Sequence, residues 1–264
     1  MSWNPEQYNQ FKNIRYQPFF DLVNLIREEG LEHGIDIGCG TGEQTRILSE
    51  KFVEANFWGI DPSAEMLLNS KEPERENLHF RQSSVEDFIA GNKSKKWDLI
   101  FSNAALQWSD NHPQLFSQLL SLLSDKGQFA VQMPVQNENL LNQLLLELVQ
   151  EKPFAGYLNG WKRESPLLSI DEYAQLLFEN GLENIQLIQK VYPIISDTPD
   201  RLLEFIAGSA LIPYMERLPA AQQVELIAEY KSRIQKAFPK FPAIYAFKRL
   251  LVYGRRGFEG SMVR

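Results

Sequence analysis

The sequence predicts an α/β protein built on a doubly wound, largely parallel sheet with a helical cap, and three observations carry that expectation. Apolar strand patterns alternate with amphipathic helix patterns up to Pro134, as right-handed crossovers between parallel strands require. A glycine-rich corner, Gly38-Cys39-Gly40-Thr41-Gly42, follows the first short apolar strand and leads directly into a helix-like run, which is how a strand-to-helix ligand loop is built. Beyond Pro134 two helical patterns lie between two late strand-like runs, and this pair, with Gly208, Pro213 and Tyr214 in it, reads as a cap over the ligand-binding edge of the sheet.

Taken in order, residues 1–16 mix Trp3, Tyr8, Phe11 and Tyr16 with Asn and Gln without a clean period, as a lid would. Pro18 opens a helix whose apolar positions Phe19, Leu22, Val23, Leu25 and Ile26 share a face, and Gly30 stops it. The strand of the glycine corner follows, then the helix from Glu43, a strand over 56–60, a helix over 64–70, a strand over 78–82 and a helix over 85–90. The mixed charges at 71–76 around Pro73 form a solvated connection. A fourth strand, 97–101, runs into Ser102-Asn103-Ala104-Ala105-Leu106-Gln107-Trp108; a helix over 113–123 and a strand over 129–133 complete five strand and helix pairs. Further on, 140–149 is helical, 153–166 is a loop containing Lys162 and Arg163, 170–180 is helical, 184–192 is a strand, 200–211 and 221–238 are helices, and 244–253 is the last strand.

With 264 residues, 44% hydrophobic and 23% charged, the chain has the composition of a globular protein with one large core plus a cap. No apolar run reaches bilayer length and the N-terminus lacks a signal-peptide pattern, so no membrane association is expected and the cytoplasm is the expected compartment. A net charge of −7 with scattered basic residues argues against nucleic acid as a partner. One cysteine, Cys39, excludes an intrachain disulfide and a Cys-rich zinc site, and no metal is expected; Cys39 reads as a small packing residue without chemistry. His112, beside Pro113, reads as a turn residue.

The corner defines the ligand. A dinucleotide loop has G-x-G-x-x-G spacing, whereas this one has G-x-G-x-G, with Asp36 ahead of Gly38, Gly40 and Gly42 and Glu43 behind them. Negative charge there repels a pyrophosphate and suits a ligand with a cationic part, such as S-adenosylmethionine with its ammonium and sulfonium. Asp61, followed by Pro62 at the end of the second strand, stands where an acid holds ribose hydroxyls. Ser84 and Val85 follow the third strand at the sheet's ligand edge and read equally as adenine neighbours or as a helix N-cap, Ser84 with Asp87. Asn103, Gln107 and Trp108 follow the fourth strand beside the glycine loop; Ala104-Ala105-Leu106 lacks the proline-aromatic platform of enzymes that methylate flipped bases.

These residues identify a resemblance. Asp36–Gly42 with Asp61 resembles the class I S-adenosylmethionine-dependent methyltransferases. Trp3-Asn4-Pro5 with Tyr8, Asn103-Ala104 with Leu106-Gln107-Trp108, Val131–Pro134, Gly208–Tyr214, and Phe247 with Arg249-Leu250 are similar to the trans-aconitate 2-methyltransferase family. The resemblance implies a seven-stranded sheet whose last strand is antiparallel, and one methyltransferase domain over 1–254: an N-terminal lid and helix (1–30), a cofactor-binding core (31–134), cap helices with the final two strands (135–254), and a tail (255–264). It implies methyl transfer to a carboxylate oxygen of a small polycarboxylic acid, with Ser84 where the family has an acid near the adenine.

A carboxylate is already nucleophilic at pH 7, so the reaction needs positioning rather than a general base. On that reading Arg15 and Arg249 pair with substrate carboxylates, Trp108 and Tyr214 wall the pocket, and Asn103 and Gln107 bond the cofactor or the acid; Arg249 also reads as a solvated strand residue. Two alternatives share the loop: a carboxyl methyltransferase on a carrier-bound acyl chain, and a non-catalytic S-adenosylmethionine-binding module. Oligomeric state is not legible.

Overall fold

The computed structural model describes residues 12–68 and 76–257, with side chains from Tyr16 onward. Residues 1–11 of the expected lid, most of the charged connection at 71–76 and residues 258–264 of the tail lie outside the described residues; the rest of the lid, 12–16, is the start of a helix. Two compact units are present. A sheet unit comprises 17–133, 166–190 and the chain from 249; a helical unit comprises 134–165 and 191–248 with the described residues up to Tyr16.

The strands are β1 (His33–Ile37), β2 (Asn56–Asp61), β3 (Leu78–Gln82), β4 (Trp97–Asn103), β5 (Leu123–Pro134), β6 (Leu182–Ser196) and β7 (Ala243–Arg256). Their order is β3-β2-β1-β4-β5-β7-β6, six parallel and β7 antiparallel. β1 pairs in parallel with both β2 and β4. The order therefore reverses between β1 and β4, and a doubly wound sheet binds its ligands in the crevice at such a switch point.

In the sheet unit, helix α1 (Lys12–Val23) and helix α2 (Glu43–Lys51) cover one face. Phe19, Leu22 and Val23 from α1 join Leu48, Phe57, Leu99, Phe101 and Tyr253 in one buried cluster, and the Phe19 ring meets Phe101 edge-on at 5.7 Å. In the helical unit, α6 (Leu140–Val149), α9 (Pro199–Ala207) and α11 (Ala220–Ala237) supply Leu141, Leu145, Leu202, Phe205, Leu226, Tyr230 and Ile234 to a second core. Each fully buried side chain of this kind contributes about 1.5–3 kcal/mol. The remaining helices are α3 (Ala64–Leu68), α4 (Val85–Gly91), α5 (His112–Ser121), α7 (Phe154–Tyr157), α8 (Ile170–Glu179) and α10 (Ile212–Met215).

Several boundaries differ from the sequence reading; α1 ends at Val23 rather than at Gly30, and the helix read over 200–211 is α9 followed by the separate α10. The first helix begins at Lys12 and contains Pro18 rather than opening on it; one missing N–H removes a single ladder bond, and burial of Phe19 and Leu22 in the core offsets that loss. β5 begins at Leu123 instead of Phe129, because Leu123 pairs with Trp97 before an irregularity brings Gln128 opposite Leu99. The loop at 153–166 includes the short helix Phe154–Tyr157.

The helical unit yields a stability prediction. Tyr230 is fully buried and its hydroxyl donates to the Leu141 carbonyl at 2.7 Å, whereas the Tyr157 hydroxyl donates to Glu225 at 3.2 Å in an exposed setting. Tyr230→Phe is expected to lower the unfolding free energy by about 1–2 kcal/mol in urea titration, and Tyr157→Phe by less than about 0.5 kcal/mol.

Candidate functional site

The glycine corner is tied to the end of β2. The amides of Gly38 and Cys39 both donate to the Ile60 carbonyl, at 2.8 and 2.9 Å. Gly38, Gly40 and Gly42 have φ of +74°, +57° and +75°, the left-handed region that glycine occupies at least cost. A Cβ on Gly38 would stand 2.1 Å from the Ala105 methyl, whereas a Cβ on Gly40 would enter open space. The loop thus presses on the segment after β4 and leaves open space in front of the Gly40 backbone. Gly42 is the N-cap of α2 and offers no side-chain bond to the first amides of the helix.

Asp61 closes the corner from the other side. One carboxylate oxygen accepts from the Gly40 amide at 3.0 Å and the other from the Ser63 amide at 2.8 Å. The next strand is drawn alongside: Ser83 N–H donates to the Asp61 carbonyl at 3.1 Å and Gln82 Nε2 to the exposed Pro62 carbonyl at 3.0 Å. Ser84 then caps α4, accepting from Asp87 N–H at 3.0 Å while its hydroxyl donates to the Asp87 carboxylate at 2.9 Å. Val85 is buried as the first residue of that helix. Of the two roles read for Ser84, the N-cap is the one its hydroxyl performs here.

Asp36 is buried and accepts a hydrogen bond from the Thr45 hydroxyl at 2.6 Å. Burial pushes its carboxyl up to about 7; the Thr45 bond opposes the rise and the nearby Asp61 adds to it. Burial and the same two carboxylates hold the Cys39 thiol well above its ordinary range, so Cys39 stays protonated and is no nucleophile.

At the end of β4, Asn103 Nδ2 donates to Gln44 Oε1 at 2.9 Å, and Asn103 Oδ1 is buried with no hydrogen-bond partner among the described residues. Gln107 is buried in the 3₁₀ turn Leu106–Trp108 and donates to the Ala104 carbonyl at 2.6 Å, while Trp108 is 40% exposed. Arg249, on β7, is 8% exposed and donates through Nη1 to Gln132 Oε1 at 2.8 Å. Its reading as a solvated strand residue is overturned by that burial.

The sheet unit therefore holds Asp36, Gly38, Gly40, Gly42, Asp61, Pro62, Ser84, Val85, Asn103, Gln107, Trp108 and Arg249. Tyr214 belongs to the helical unit, where it is buried, accepts from the Arg163 amide at 3.1 Å and meets Trp161 edge-on at 5.2 Å. Burial raises its phenol, against the opposing charges of Arg163, Arg217 and Lys162. Arg15 lies on the backbone of α1, and its side chain lies outside the described residues.

His112 is no simple turn residue. It is fully buried in the first turn of α5, its Nε2 is 3.0 Å from the Leu106 carbonyl and its Nδ1 is 2.5 Å from the Tyr173 hydroxyl. Thr45, Gln44 and Gln132 also escaped the sequence reading. For Gln132 the signal was present: an amide between Val131 and Met133 in a strand otherwise buried is costly unless it is used.

Comparison with known proteins places this geometry. A family model described as a methyltransferase domain matches residues 29–194. The YcgJ protein of Bacillus subtilis has a similar fold, with a TM-score of 0.60 and 17% identity over 92% of this chain and 99% of that one. The chain belongs to the class I S-adenosylmethionine-dependent methyltransferases. Within that class it falls in the family of proteins named trans-aconitate 2-methyltransferase. It is 37% identical to that of Deinococcus radiodurans, over 97% of this chain and 99% of the relative, and 28% identical to that of Delftia acidovorans, over 97% and 99%.

The raised Asp36 carboxyl makes stability depend on pH. In the unfolded chain it ionises near 3.9, and in the fold near 7, so between those values the native state holds the extra proton and its stability falls as pH rises. Asp36→Asn is expected to remove a decline of up to about 4 kcal/mol between pH 4 and pH 7. Urea titrations of both proteins across that range check it; parallel pH profiles would show that Asp36 is not perturbed.

Proposed function

We propose that this methyltransferase esterifies a carboxylate of a small polycarboxylic acid, trans-aconitate or a close relative. The observation that carries the reading is full-length similarity to a protein named for that reaction. Support comes from the guanidinium buried on the strand next to β5, which suits an anionic substrate better than a neutral one.

S-adenosylmethionine, when bound, supplies an electrophilic methyl group on a cationic sulfur. The described residues fit such a molecule. The open space at Gly40 admits a ligand against bare backbone, Asp61 keeps lone pairs free beyond its two amide bonds for ribose hydroxyls, and the buried Asn103 Oδ1 is an acceptor awaiting a donor. Asp36 supplies negative potential behind the loop, and Ser84, Val85 and Gln107 border the cofactor through the segments that follow β3 and β4. On the acceptor side Arg15 and Arg249 pair with carboxylates, while Trp108 and Tyr214 wall the acid. The acid brings its own ionised nucleophile, so these residues act by holding it in line and excluding water. The expected compartment is the cytoplasm.

Incubation with methyl-labelled S-adenosylmethionine and a panel of di- and tricarboxylic acids tests the proposal. Methyl esters of trans-aconitate or a near relative are expected by mass spectrometry, and label on none of the acids contradicts the reading. Arg249→Ala is expected to raise KM for the acid about tenfold or more, with S-adenosylhomocysteine affinity nearly unchanged.

A further inference from the structure

Gln132 sits near the end of β5 and is 0% exposed. In the parallel register it is opposite Asn103 of β4, so the two side chains lie on one face of the sheet. Its Oε1 accepts from Arg249 Nη1 at 2.8 Å. A guanidinium only donates, so this bond fixes the amide: oxygen toward Arg249, nitrogen away from it. Among the described residues, Gln132 Nε2 is then a buried donor with no hydrogen-bond partner, and Asn103 Oδ1 on the neighbouring strand is a buried acceptor without one. Buried amide groups in native folds are rarely left unpaired. The two lie on one face at the ends of neighbouring strands, with the Arg249 guanidinium bonded to one of them, so a ligand brought there would complete both.

We propose that Gln132 Nε2 and the Arg249 guanidinium together anchor one carboxylate of the acceptor acid, and that this carboxylate is not the one methylated. The proposal rests on the acid-acceptor reading above and narrows it. Arg249 supplies charge and Gln132 a neutral donor of fixed direction, so the pair rejects a group that has no acceptor to offer. With one oxygen of that carboxylate engaged by the guanidinium and the other by the amide, neither is free to attack the methyl group. The ester therefore forms on a second carboxylate, and the substrate class is acids with at least two. Gln132 is a specificity residue.

The test is calorimetric binding to the protein saturated with S-adenosylhomocysteine, using trans-aconitate and the monocarboxylic acid crotonate as probes. Wild type is expected to bind trans-aconitate at least tenfold more tightly than crotonate; equal affinities, or no binding of trans-aconitate, overturn the proposal, and this arm needs no variant. Gln132→Glu keeps a partner for Arg249 but places a negative charge where the acid's carboxylate belongs. Its affinity for trans-aconitate is expected to fall about tenfold or more, as is that of Gln132→Leu, with melting temperature and S-adenosylhomocysteine affinity of the Glu variant held. If Gln132 only satisfies Arg249, Gln132→Leu frees the guanidinium and binds trans-aconitate at least as tightly as wild type, which overturns the proposal. Methyl transfer is read separately: a wild type that binds trans-aconitate through Gln132 but esterifies no acid refutes the functional reading while the anchor stands.

Discussion

The corner of the sheet unit depends on one carboxylate. Asp61 accepts an amide from the glycine loop through one oxygen and an amide from its own following turn through the other. These bonds hold the backbone at Gly40 in place across a gap of 21 residues in sequence. A glycine loop has little conformational preference of its own, so an external anchor is what makes its shape reproducible. The two amides donating to the Ile60 carbonyl reinforce the same junction. The Asp61 and Pro62 carbonyls add β3, accepting from the Ser83 amide and from Gln82 Nε2.

Behind this junction lies an acid that is poorly accommodated as an anion. Asp36 has a hydroxyl from Thr45 to stabilise it and pays for burial with a carboxyl raised to about 7. A cation arriving in front of the loop favours the ionised form, so cofactor binding and the protonation of Asp36 are linked. The same economy appears at the ends of β4 and β5, where Asn103 and Gln132 each leave one polar atom without a partner among the described residues. Sites that bind polar ligands hold such groups in reserve, at a cost in stability, because a preformed donor or acceptor need not be reorganised when the ligand comes.

Much of this was legible in the residues, and what was not has a physical reason. The glycine corner and Asp61 could be read because backbone geometry there restricts residue type and the spacing follows from the crossover between β1 and β2. The antiparallel β7 came from resemblance rather than from periodicity, since a strand pattern carries no direction. Pro18 misled because a proline that loses one hydrogen bond inside a helix is affordable when the residues after it pack into a core. Gln44, Thr45 and Gln132 were missed because each acts on a residue distant in sequence: Asn103, Asp36 and Arg249. His112 escaped for the same reason, its partner Tyr173 lying 61 positions away. Arg249 could be read either way until its burial was known, because Lys248-Arg249 looks the same in a solvated strand and in a buried one.

The central claim is that Asp61 both shapes the glycine loop and receives the cofactor. Calorimetric titration of S-adenosylhomocysteine into wild type and Asp61→Asn tests it most directly. The account predicts that the variant, which has one acceptor oxygen instead of two and no charge, binds at least about tenfold more weakly while remaining folded. Equal affinity in the two proteins would contradict it.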